Sequence, residues 1–131
     1  MADLDQANAL DPKNAYMALW LDVAAKRSSL PTRLPQAASQ VDMTKWPAPL
    51  IQLLMGQLTP AAALAAADDA NLDKKKRQVC EANFFSGELV LQQGAKDEAA
   101  RLFRLAAGDC PHASIYWESA AAELKALGET P

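Results

Sequence analysis

Apolar positions in this 131-residue chain recur every three to four residues through most of its length, and a proline or glycine interrupts each run. That spacing turns one side of each segment toward a core and predicts amphipathic helices. The first run, Leu4, Ala7 and Leu10, stops at Pro12 and reads as the last turns of a helix. A second helix is expected over residues 14–29. There Tyr16, Leu19, Trp20 and Val23 form a stripe that ends in Lys26 and Arg27, cations suited to the negative end of a helix dipole. From Leu30 to Pro49 the period weakens, and four of the eight prolines fall in this segment. A short helix over Leu34–Val41, set between bends, is predicted.

The period resumes at residues 48–55, where a short apolar helix is closed by Gly56 in the place of a left-handed cap. Thr59 and Pro60 suit the N-cap and first position of the next short helix. The longest helix is predicted from Asp73 to Gln93. Gly94 then ends it, residues 95–110 supply an antiparallel partner, and Pro111 stops that partner. A last helix is expected over Ser114–Leu127, ending at Gly128. The predicted fold class is all-α, with seven or eight helices and no strand.

Composition agrees with this. Half of the residues are hydrophobic but only 6% are aromatic, and alanine supplies much of the apolar content, which suits closely packed helices better than sheets. The length corresponds to about one domain. With a net charge of −3, and Lys74, Lys75, Lys76 and Arg77 as the one basic run, nucleic acid is not an expected partner, because phosphate binding needs a basic surface. The run reads instead as an exposed helix start. No apolar stretch approaches the ~18 residues of a membrane helix, so no membrane span is expected.

The chain also carries an internal repeat frame, the kind of periodicity that decides a fold. With a unit of 34 residues and Gly87 at its eighth place, the later places fall on Val90, Gly94, Ala99, Phe103, Ala106 and Pro111. This pattern of small and large residues resembles the tetratricopeptide repeat. Gly87 and Ala99 would let two helices approach, Phe103 would fill the space between them, and Pro111 would end the second. Asn83, at a place usually held by tryptophan, departs from the pattern. In the same frame, run backwards from Pro12, Leu4 and Ala7 take the places of Phe103 and Ala106. The chain is therefore expected to begin inside a repeat of a longer array. Trp117, Ala121 and Leu124 fit a further first helix.

The segments "DPKNAYMALWL", "KWPAPLIQLLMGQLTPAAAL", "EANFFSGELVLQQGAKDEAARLFRLAA" and "AAAELKALG" follow one another in an order similar to that of the bacterial new-lipoprotein-I type of tetratricopeptide protein. The resemblance implies a right-handed superhelix of antiparallel helix pairs. It divides one domain into the end of a truncated repeat (1–12), an irregular repeat (14–45), a short helix pair (46–71), a complete repeat (73–111) and a capping helix (114–128). It also implies a non-enzymatic adaptor that gathers cell-envelope hydrolases or a protease, placed in the periplasm or envelope, with the cytoplasm as the alternative. The lipid-bearing cysteine of that family has no counterpart, because Cys80 and Cys110 both lie far inside the chain.

Within the repeat frame, Cys80 and Cys110 hold the first and thirty-first places, the start of one helix and the end of its partner. That geometry permits a disulfide; two small buried thiols packing helix ends are the other reading. With His112 they make only three candidate ligands, without paired short cysteine spacing, so no metal and no cofactor is expected. His112, the one histidine, has no nucleophile motif beside it, which argues against an enzyme. Asp97 and Glu98 suit the positive start of their helix.

What remains is a surface. The resemblance implies a groove for a protein or peptide partner, lined by Tyr16, Leu19, Val23 and Arg27 from one unit and by Glu81, Phe84, Glu88, Leu91 and Gln92 from a later one. Leu19, Val23, Phe84 and Leu91, each taken singly, read nearly as well as packing between neighbouring repeats. Tyr16, Arg27, Glu88 and Gln92 are the groups that would orient a peptide. A basic clamp for a C-terminal carboxylate is not evident. The competing reading is a structural segment whose exposed apolar ends pair with the rest of its own chain or with a second copy, as a homo-oligomer.

Overall fold

The computed structural model describes residues 14–129. The expected turns of helix over residues 1–12 lie outside them. Among the described residues the chain forms seven helices and no strand: α1 (Ala15–Arg27), α2 (Leu34–Ala38), α3 (Ala48–Leu54), α4 (Pro60–Ala66), α5 (Leu72–Gln92), α6 (Lys96–Asp109) and α7 (Ile115–Ala126). They fall into two compact units with the boundary at Thr59 and Pro60. That boundary lies inside the segment 46–71, so α3 belongs to the first unit and α4 to the second.

Local chemistry sets the helix ends. Asn14, Asn71 and Ser114 each cap a helix by accepting a hydrogen bond from the backbone N–H three residues on, at Met17, Lys74 and Trp117; each satisfies a donor that the first turn leaves without a partner. Three helices end on a glycine with positive φ, Gly56, Gly94 and Gly128. After each, paired backbone bonds close the end: Gly94 N–H to Leu91 O and Ala95 N–H to Val90 O are one such pair. The end of α1 makes the same closure with a serine. Ser29 sits at φ 56°, and Ser29 and Leu30 donate to the carbonyls of Lys26 and Ala25. An L-residue there is strained, because its Cβ crowds the neighbouring carbonyl.

In the first unit α1 packs against α2 and α3. Leu19, Leu21, Leu34, Leu50, Ile51 and Leu53 fill its interior. α2 stops at Ala38, three residues short of the expected Val41, where Ser39 and Gln40 turn back onto the carbonyls of Gln36 and Ala37. The Trp46–Pro47 peptide before α3 is cis.

In the second unit α5 and α6 form a helix hairpin about the Gly94 turn, α7 packs on both, and α4 packs on the start of α5. At 21 residues α5 is the longest element, spanning roughly 30 Å at 1.5 Å per residue. From Cys80 to Glu88 every residue of α5 is buried. One buried stripe is the rule for a surface helix. This helix is covered on several sides instead, because three others pack on it.

Candidate functional site

The α5–α6–α7 core is aromatic. The Phe84 ring lies 5.2 Å from that of Phe85, 5.9 Å from Phe103 and 5.6 Å from Tyr116, and Phe85 lies 5.8 Å from Tyr116. Most of these contacts are edge-on, the arrangement that the ring quadrupoles favour. Small residues let α5 and α6 come this close. A Cβ placed on Gly87 would stand 2.7 Å from Cε1 of Phe103, so any larger side chain would push the ring out of its seat. Ala99 and Ala106, on the other helix of the pair, are fully buried.

Cys80 and Cys110 are joined by a disulfide, with their Cα atoms 5.0 Å apart. Cys80 lies nine residues into α5, and Cys110 is the residue on which α6 ends, in extended conformation. The bond thus ties the end of the hairpin that is opposite the Gly94 turn. Just past it, His112 stacks on Trp117 at 4.4 Å between ring centroids. Just before it, buried Gln78 donates through Nε2 to the carbonyl of Ala67, 3.0 Å away, which holds the end of α4 against α5.

The basic run at the start of α5 is exposed, and its first two lysines face acidic partners. Lys74 lies 3.7 Å from Asp69 and Lys75 lies 3.0 Å from Asp68. The Lys75 hydrogen bond holds the Asp68 carboxyl below its ordinary pKa. At the start of α6, Arg101 donates to Glu98 and lowers that carboxyl in the same way. The Lys75–Asp68 and Arg101–Glu98 pairs lie in solvent, where ion pairs contribute little to stability.

The first unit carries a polar centre that periodicity does not reveal. The Asp22 side chain is 1% exposed, and its Oδ2 lies 2.8 Å from Nζ of Lys26. Its Oδ1 accepts a hydrogen bond from the Thr32 hydroxyl, and the same hydroxyl oxygen accepts from Leu34 N–H at 3.1 Å. Lys26 also donates to the carbonyl of Leu54 at 3.0 Å. One carboxylate therefore ties α1 to the loop before α2, and its lysine reaches the end of α3. A signal does exist in the sequence: Asp22 lies in the apolar stripe of α1, four residues before a lysine, which is the spacing of a helical ion pair.

The nine expected groove residues separate by accessibility. Leu19, Val23, Glu81, Phe84 and Glu88 are buried, so they are interior positions of their units. Tyr16 and Leu91 are half-buried, and Arg27 and Gln92 are exposed. On α1 the accessible pair, Tyr16 and Arg27, lies toward the two ends of the helix; on α5 Leu91 and Gln92 close its last turn.

Among the described residues no group of three or more His, Cys, Asp and Glu side chains could hold a metal ion, and no helix is long and apolar enough to cross a membrane. No protein-family model matches the chain, and no solved structure matches it.

Proposed function

We propose that the chain is a non-enzymatic protein-interaction module of the tetratricopeptide type, an adaptor for cell-envelope hydrolases or a protease. The observation that carries this reading is the α5–α6 hairpin. Its close approach at Gly87, with Phe103 filling the space, is the packing that the repeat pattern requires of those residue types. The disulfide supports an envelope setting, because such bonds persist in oxidising compartments. It also occupies both thiols, which removes the nucleophile that an enzyme acting through Cys80 would need. In this reading each unit offers its own contacts, Tyr16 and Arg27 in the first and Gln92 in the second, since these polar side chains are accessible and can orient a peptide.

The test is a pull-down from envelope extract with the intact chain and with an Arg27→Ala, Gln92→Ala variant. Capture of a hydrolase or protease by the wild type, weakened by about tenfold in the variant, is the expected result. Equal capture by both would move the binding surface elsewhere.

A second reading, self-association, is favoured by five exposed large apolar side chains among the described residues, with Leu72 at 78% and Ile115 at 56% the most exposed. Exposed apolar side chains scattered singly are common on protein surfaces, so they support it less than the hairpin supports the first reading. Light scattering across a concentration series decides it: a constant monomer mass rejects self-association.

A further inference from the structure

The Cys80–Cys110 bond can be one of two things: a switch that responds to the redox state of its surroundings, or a staple closed once during folding. Position and burial separate the two. A switch needs a sulfur that a thiolate can approach, and regulatory disulfides are correspondingly exposed. Here both cysteines are interior, Cys80 at 2% and Cys110 at 3% exposed. Neither lies in a loop that could swing open: Cys80 is inside a long helix, and the Cys110 N–H is still bonded to Ala106 O at 2.8 Å.

The approach of the two cysteines follows from packing that does not involve sulfur. Gly87 against Phe103 sets how close α5 and α6 lie, and Phe84, Phe85 and Tyr116 hold α7 on the pair. The cysteines are 30 positions apart in sequence, so in an unfolded chain they meet seldom, because closing so long a loop costs entropy.

We propose that the Cys80–Cys110 bond is a folding-dependent staple. The noncovalent α5–α6–α7 core brings the thiols together, an oxidised dithiol closes them, and the same core then seals the bond from reductants. In the closing step one cysteine thiolate attacks the disulfide of the oxidant and forms a mixed disulfide, releasing one oxidant thiol. The second cysteine attacks that mixed bond and releases the other. The protein loses two electrons and two protons, and the oxidant leaves as a dithiol. The staple holds the point where the α5–α6 hairpin meets its neighbours, since Gln78 and α4 lie just before Cys80, and His112, Trp117 and α7 follow Cys110. This inference does not depend on the adaptor reading.

Two measurements on the full chain test it. Equilibration with reduced and oxidised glutathione, in buffer and in concentrated urea, gives the effective concentration of the two thiols in each. The expected value in buffer is at least about 100-fold higher than in urea, since whatever stabilises the fold through the bond must equally stabilise the bond through the fold. This holds even if the reduced chain unfolds, because the oxidised chain still folds in buffer. Values within about threefold of each other would overturn folding dependence. The second measurement is the rate of reduction by dithiothreitol as urea is raised. A rate that climbs in step with global unfolding is expected. A fast rate that ignores urea would show that the bond is open to reagent in the native state, and would overturn the sealing.

Discussion

The two units of this chain hold their helices by different means. The first places a carboxylate at its centre: Asp22 binds Lys26 and Thr32, and through Lys26 it reaches the end of α3. The second centres on four aromatic rings, small residues at the helix contact and a disulfide. The difference follows from helix length. α2 and α3 have five and seven residues, too few to hold themselves, and the prolines around them remove backbone donors. Directional bonds from one buried group fix such short pieces in register. α5 and α6, with 21 and 14 residues, bury enough surface along their length for nondirectional packing to suffice. A buried charge is a high-stakes choice, since losing one partner leaves the other poorly satisfied. Aromatic packing degrades more gradually, but it does not tolerate added volume.

Substitutions can break this comparison at either end. The largest effect is expected from replacing Cys80 and Cys110 together by alanine. Freeing a loop of that length costs about 3–4 kcal/mol by the chain-entropy estimate, read as a lower urea midpoint for the second unit. Asp22→Ala should cost the first unit about 2 kcal/mol. The figure lies below that of a fully buried pair because Lys26 is partly exposed and can turn to water. Circular dichroism melts of Asp22→Asn would sharpen it: an amide still accepts from Thr32, so about half of the loss should return. Gly87→Ala should cost about 1–2 kcal/mol. The new methyl drives into Phe103, and the overpacking outweighs the roughly 1 kcal/mol of helix propensity that alanine adds. Stabilisation here would mean that the hairpin is looser than the ring contacts indicate. The smallest change is a gain. Ser29→Gly relieves the left-handed strain at the end of α1 and should raise stability by about 0.5 kcal/mol, once the greater freedom of glycine in the unfolded chain is counted.

How much of this was legible in the sequence varies by element. Proline and glycine mark helix ends by excluding or permitting particular backbone angles, so the breaks at Gly56, Gly94 and Gly128 could be read directly. The antiparallel α5–α6 pair was legible too, because Gly87, Ala99 and Phe103 occupy the places where two helices must touch. Burial along α5 was not. A groove position for Glu81 and Glu88 supposes a helix with one packed face, whereas α5 is enclosed from Cys80 to Glu88; the burial of Phe84 agrees with its other reading, as a packing position. Nothing in a 3.6-residue period says how many neighbours a helix has. The Asp22 centre is legible only in part: the Asp22–Lys26 spacing is that of a helical ion pair, but the links to Thr32 and to the Leu54 carbonyl span ten and more positions and are set by side-chain geometry. The repeat spacing puts Cys80 and Cys110 side by side, but spacing alone does not decide between bonded and free thiols.

The claim that the two units are held by different means is tested most directly by hydrogen exchange with mass spectrometry, on the native chain and on the chain after reduction. Protection should fall most across peptides covering residues 72–127 when the disulfide is reduced, while those covering residues 15–54 change least. A loss of protection concentrated in residues 15–54, or none in residues 72–127, would contradict the account.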